Sequence, residues 1–351
     1  MINDTNLKQN GGAGSTNYQA NSITIIQGVT PEIAKEKALE VFKENFIQLA
    51  SEAREIASKR AEEIVDRFLS KLLAASPELL CRMKEPSMQY SLYSIQREYA
   101  KNGEIATSEL LIEILVNLAA LPERNLTQVL LNECMTVVPK LTIEQINALS
   151  LHFFAFVYKG DDIYQTSLKD YIENYLKPFD SQKQTNIYEV NYMLYSGCVS
   201  LNKNSSSFLL NFFHKHTNLF SEGFTFNEFI SIVGKSNKLI EIEMLIICPN
   251  NPYNFKVFST DLIAICNTAS NFGLNENQAI ELWKLNNRIT VEILEYHKLD
   301  SYEAIYLCEL SKNWKGTYIS TMELTIVGIA IAITNINRKL GVVLSLDDYL
   351  I

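Results

Sequence analysis

Residues 30–73 read TPEIAKEKALEVFKENFIQLASEAREIASKRAEEIVDRFLSKLL, and this stretch decides the fold class. After Pro31 it holds neither glycine nor proline, the two residues that most readily break a helix. Thr30 can cap, Pro31 takes the first helical position, where a missing N–H costs nothing, and Glu32 meets the positive end of the helix dipole. Leu39, Phe42, Phe46, Leu49, Ala53 and Ile56 follow three-four spacing. The apolar seam then moves to Ala57, Ala61, Ile64, Phe68 and Leu72, a stutter in the repeat. Eight Lys/Arg and nine Asp/Glu between positions 31 and 73 give the opposite face mixed charge. The pattern predicts one long helix from Thr30 to about Leu73, on the order of 60 Å in length, serving as the spine of a bundle or, as the alternative, an oligomerisation seam.

Working outward, the same absence of breakers recurs. Of 13 glycines in 351 residues, Gly11, Gly12, Gly14 and Gly28 fall in the leader, and only nine serve the rest. Helices are predicted over 87–101, 107–121, 125–138, 142–158, 163–177, 184–200, 206–217, 260–272, 276–298, 301–313 and 326–340. Asn102-Gly103 and Gly341 act as stops. Thr142-Ile-Glu-Gln145 is a capping box, Asn275-x-x-Gln278 repeats the device, and Thr325 caps the last helix. Leu239–Cys248 fits helix or strand. Pro249-Asn-Asn-Pro-Tyr-Asn254 reads as the strongest internal boundary, Phe255–Phe258 as a strand and Thr317–Leu324 as extended.

Residues 1–28 are a different material, rich in Asn and Gln and poor in charge. Ile23-Thr24-Ile25 alternates and is β-branched, as in a short strand, which would not stand alone. One reading is a loose tail. The sharper one is a self-pairing β segment, in which Asn17, Tyr18, Gln19, Ile23 and Ile25 stack in register between chains.

The search for chemistry is mostly negative. Val233-Gly-Lys-Ser236 resembles the end of a phosphate-binding loop, but Phe229 stands where the earlier glycine is needed. His214 and His216 lie two apart in a predicted helix and face different directions, as on an ordinary helix surface, so no metal is expected. His152 and His297 are isolated and read as structural. The cysteines at 81, 134, 198, 248, 266 and 308 form no close pair and read as six reduced core thiols. No cofactor or catalytic residue is assigned. A net charge of −9 argues against chain-wide binding to nucleic acid or anionic lipid. The longest apolar run, Ile326–Ile333, is far shorter than a membrane span, and no secretory pattern opens the chain, so a cytoplasmic protein is expected. Gly328 and Ala332 read as close packing of a buried helix. Leu324-Thr-Ile-Val-Gly328 also looks like the exit from the wing of a winged-helix domain.

The leader Gly12-Ala-Gly-Ser-Thr-Asn-Tyr-Gln-Ala-Asn-Ser-Ile-Thr-Ile25, the long helix after Thr30-Pro31, and the close Leu324-Thr-Ile-Val-Gly-Ile-Ala-Ile-Ala332 with Tyr349-Leu-Ile351 together resemble an uncharacterised bacterial family of mainly helical proteins. That resemblance implies a helical body without an assigned activity. Similar leaders occur on bacterial proteins suspected of roles in phage defence or signalling assemblies. The usual leader Asp and the glycine after Gln-Ala are missing here.

The expected fold is therefore all-α, a multi-helix bundle with a long N-terminal helix, a short β leader and a small β element near the C-terminus. The expected parts are residues 1–29 as leader, 30–250 as helical body, and 251–351 as a C-terminal, winged-helix-like helical domain. The leading functional expectation is a non-catalytic interaction or assembly protein that binds a protein partner or itself. The alternatives are a nucleic-acid-binding regulator using residues 255–351, and an enzyme whose site is assembled from distant residues. A deep pocket with two or more buried titratable groups would favour the enzyme.

Overall fold

The computed structural model describes residues 30–45, 51–121, 125–160, 163, 165–181, 186–201, 207–234, 238–259, 261–288, 299–314 and 322–349. Fifteen α-helices and two small two-stranded sheets are found among them. The all-α reading holds. The chain divides into two compact units, Met1–Gly103 and Glu104–Ile351.

In the first unit the predicted rod is instead two helices, α1 (Pro31–Asn45) and α2 (Ser51–Ala75). They fold back on each other: Lys35 on α1 is 3.0 Å from both Glu62 and Asp66 on α2, residues that a straight helix would hold on the order of 40 Å away. The seam shift at Ile56 and Ala57 falls inside α2, after the break. Ala57, Ala61, Ile64, Phe68 and Leu72 of the second seam are all buried, whereas Ile56 of the first seam is 53% exposed. Thr30 caps α1, its Oγ1 accepting from the Ile33 N–H at 3.3 Å. After 3₁₀ turns over Pro77–Lys84 comes α3 (Pro86–Asn102), stopped by Gly103 in the left-handed conformation. Leu92, Ile95 and Tyr99 of α3 join Phe42 and the α2 seam in the core.

The spine of the second unit is the last helix, α15 (Ile326–Leu340). It packs on α4 (Ile105–Ala120), α5 (Leu126–Val137) and α6 (Ile143–His152). Ala330, Ile331, Ala332, Ile333 and Ile336 are buried, which is why this run is apolar without crossing a membrane. Asn335 is buried among them, and its amide donates to Ser150 Oγ at 2.9 Å. Gly328 is needed at its position, because a Cβ there would lie 2.0 Å from the Cys198 carbonyl oxygen. The capping boxes at Thr142 and Asn275 and the Thr325 cap form as the sequence predicts.

The segment Leu324–Gly328, read as the exit of a wing, is the last residue of β4 (Met322–Leu324), the Thr325 cap and the first turn of α15. β4 pairs antiparallel with β1 (Val199–Leu201), over a hundred residues earlier, rather than with a hairpin neighbour. The ambiguous 239–248 stretch resolves as helix α11 (Lys238–Met244) followed by strand β2 (Leu245–Cys248). Pro249 and Asn250 form the turn into β3 (Asn251–Val257). Asn250 ties this turn to the body: its amide donates to the carbonyls of Leu219 and Ser221 and its oxygen accepts from the Leu168 N–H. The hairpin shares a local core of Phe224, Phe229, Ile265 and Leu282 with the neighbouring helices.

Candidate functional site

The most distinctive exposed surface lies on α8 (Ile187–Tyr195). Asn186 and Glu189 form a capping box at its start. Val190 and Met193 are fully buried, which fixes the helix's rotation. At 100° per residue, Tyr188, Tyr192 and Tyr195 then fall within about 60° of arc on the opposite side. They are 79%, 40% and 85% exposed, and the Tyr192 and Tyr195 ring centres stand 6.2 Å apart. Leu194 and Leu201 of β1 add exposed apolar surface near this end. Tyrosine supplies a large flat contact area with a hydrogen-bonding tip at low entropic cost, and is enriched at protein interfaces.

A cleft of about 540 Å³ lies in the second unit, lined by Lys177, Asp180, Tyr302, Tyr306, Glu309 and Lys312, among others. Most of these come from α14 (Tyr302–Trp314). Its polar groups satisfy one another at the mouth. Glu173 accepts from the Tyr302 hydroxyl and pairs with Lys177 at 3.0 Å, while the Lys177 ammonium sits 4.8 Å from the Tyr302 ring centre. These contacts hold the Glu173 carboxyl below, and the Lys177 ammonium above, their ordinary values. The Tyr306 hydroxyl is buried; desolvation and the nearby Asp180 carboxylate push its pKa far above the usual phenol range.

Behind the cleft stands an aromatic core built on two π-helical turns, Phe153–Val157 and Ile172–Leu176. The wider turn leaves carbonyls facing inward, and they are satisfied. Phe154 O accepts from the Tyr171 hydroxyl at 2.7 Å, and His216 Nε2 lies 3.0 Å from both Phe154 O and Ala155 O. Two acceptors at one nitrogen place the proton on Nε2. Burial lowers the His216 pKa to about 4, keeping the ring neutral. His216 is thus a core residue, contrary to its expected place on a helix surface, and its role is to close the π turn.

A family model matches residues 28–350. The chain belongs to that uncharacterised family. No curated protein and no solved structure matches the chain. The family's span takes in every residue the structure describes. It begins after Ile25, so the proposed self-pairing residues Asn17, Tyr18, Gln19, Ile23 and Ile25 lie outside it, and also outside the described residues. Within the span, no group of three or more His, Cys, Asp or Glu is arranged to hold a metal among the described residues. His297 and the Lys235-Ser236 end of the loop-like motif are not described. The six thiols are all unbridged, but only Cys134, Cys198 and Cys248 are buried; Cys81 is exposed on a 3₁₀ turn, and Cys266 and Cys308 are half-buried. No described helix is long and apolar enough to cross a membrane. Sequence reading missed the α8 face because tyrosines at i, i+4 and i+7 look the same whether they face a core or water. Only the burial of Val190 and Met193 tells which.

Proposed function

We propose that the protein is a non-catalytic interaction and assembly component of the cytoplasm, whose helical body binds a protein partner through the tyrosine face of α8 and whose leader promotes self-association. The exposed, aligned Tyr188, Tyr192 and Tyr195 carry this reading. A helix that turns three tyrosines to solvent presents the chemistry of an interface core, and partner burial would remove most of their area from water. The resemblance of the leader to those of bacterial defence and signalling proteins suggests the setting.

A photo-crosslinking residue in place of Tyr192, irradiated in the native cell, is expected to yield one discrete adduct with a second polypeptide. The adduct should vanish when Tyr188→Ser and Tyr195→Ser are added. Both side chains are exposed, so the fold should survive the change. Recovery of uncrosslinked chain alone would overturn the α8 assignment. The leader is tested separately by light scattering of the full chain against one beginning at Thr30; equal masses would remove its role.

A further inference from the structure

A second, smaller cavity of about 280 Å³ lies within the first unit, and it differs in kind from the cleft of the second. Its walls are apolar: Ile33, Ala34, Ala38 and Val41 of α1 face Met83 and Leu92. Gln96 of α3 also lines it. That side chain is fully buried, and its Nε2 donates to the Ala38 carbonyl at 3.4 Å, while Oε1 has no hydrogen-bond partner among the described residues. The Ala38 carbonyl fixes the amide's orientation, since turning it over would set two acceptors against each other. An acceptor left bare in an apolar pocket is destabilising, and most buried polar side-chain atoms in native cores have a hydrogen-bond partner. At the mouth stand two exposed lysines, Lys37 and Lys84. Lys37 is paired with Glu40, which leaves Lys84 as the main positive charge there.

We infer that this cavity binds a small amphipathic organic acid, with an N–H or hydroxyl that donates to Gln96 Oε1, a flat or branched apolar body against Ile33, Val41, Met83 and Leu92, and an anionic group held at the mouth by Lys84. The volume admits a body of on the order of a dozen non-hydrogen atoms. The site is separate from the α8 face and does not depend on the proposed partner.

The test uses three probes on the full chain, followed by calorimetry or ligand-observed NMR. Indole-3-acetate carries both the donor and the acid, 1-naphthaleneacetate lacks the donor, and indole lacks the acid. Saturable binding of indole-3-acetate is expected, about tenfold tighter than that of 1-naphthaleneacetate. Gln96→Leu should abolish that preference by removing the acceptor. Lys84→Gln, an exposed change that leaves the core intact, should weaken both acids and leave indole unchanged. Absence of saturable binding by all three probes would overturn the proposal. So would a donor preference that survives Gln96→Leu in a folded variant, or acid affinity indifferent to Lys84→Gln.

Discussion

His152 and His216 show how burial sets chemistry at the scale of one residue. His152 is enclosed by the Phe156 and Trp314 rings, with ring centres 4.7 and 6.3 Å away. Burial lowers its pKa to about 4, and the Met322 backbone, which favours the proton, offsets this only in part. The His216 value falls equally, to about 4. Both folded values lie below the ordinary 6.5, so the unfolded chain takes up protons first as pH falls. Stability is therefore full above pH 6.5, declines between pH 6.5 and about 4, and is level below that as far as these two groups are concerned. Each histidine is expected to cost about 2 kcal/mol between pH 7.5 and 5. Urea unfolding at the two pH values checks this, and His152→Phe should remove about half of the drop. Gly328 makes a second residue-scale case. Gly328→Ala drives a methyl into the Cys198 carbonyl and is expected to destabilise by about 3 kcal/mol, read as a lowered urea midpoint with an unchanged slope.

At the scale of elements, end chemistry fixes where helices begin. Thr142 Oγ1 accepts from the Gln145 N–H at 3.2 Å, and Gln145 Oε1 accepts from the Thr142 N–H at 3.0 Å. Thr142→Ala breaks this reciprocal cap of α6 and should cost about 1 kcal/mol, with Thr142→Ser restoring most of it; thermal melts of the three proteins decide. The caps were legible in the sequence because each depends on residues at most three apart. The break between α1 and α2 was only half legible. The seam shift at Ala57 was visible, but a stutter in a rod and a reversal of the chain leave the same mark in the periodicity. What separates them is the attraction of Lys35 for Glu62 and Asp66 and the closing of Phe42 over Ala57 and Ala61, contacts between residues far apart in the chain.

For the whole molecule, the division at Gly103 and Glu104 sets what can be removed. α15 and the helices it packs on, α4, α5 and α6, all lie on the same side of it. A chain begun at Glu104 is therefore expected to keep a helical circular-dichroism spectrum and a single cooperative thermal transition. A broad, non-cooperative melt would show that residues 1–103 are required for its core. Within the second unit the spine is likewise a tertiary property. The chain's last helix, α15, holds that place, because the consecutive helices α4, α5 and α6, far from it in sequence, converge on its apolar faces.

The sequence alone determined the helical class, the capped starts at Thr142, Asn275 and Thr325, and the buried character of Ala330–Ile333 and Ile336, because these follow from local backbone preference and from the area of apolar side chain that must leave water. Tertiary structure decided which helix lies at the centre of the second unit, that β4 finds β1 rather than a neighbour, that His216 is interior, and that Gln96 faces a cavity. Each of those outcomes depends on which distant surfaces meet, and spacing along one chain carries no record of it.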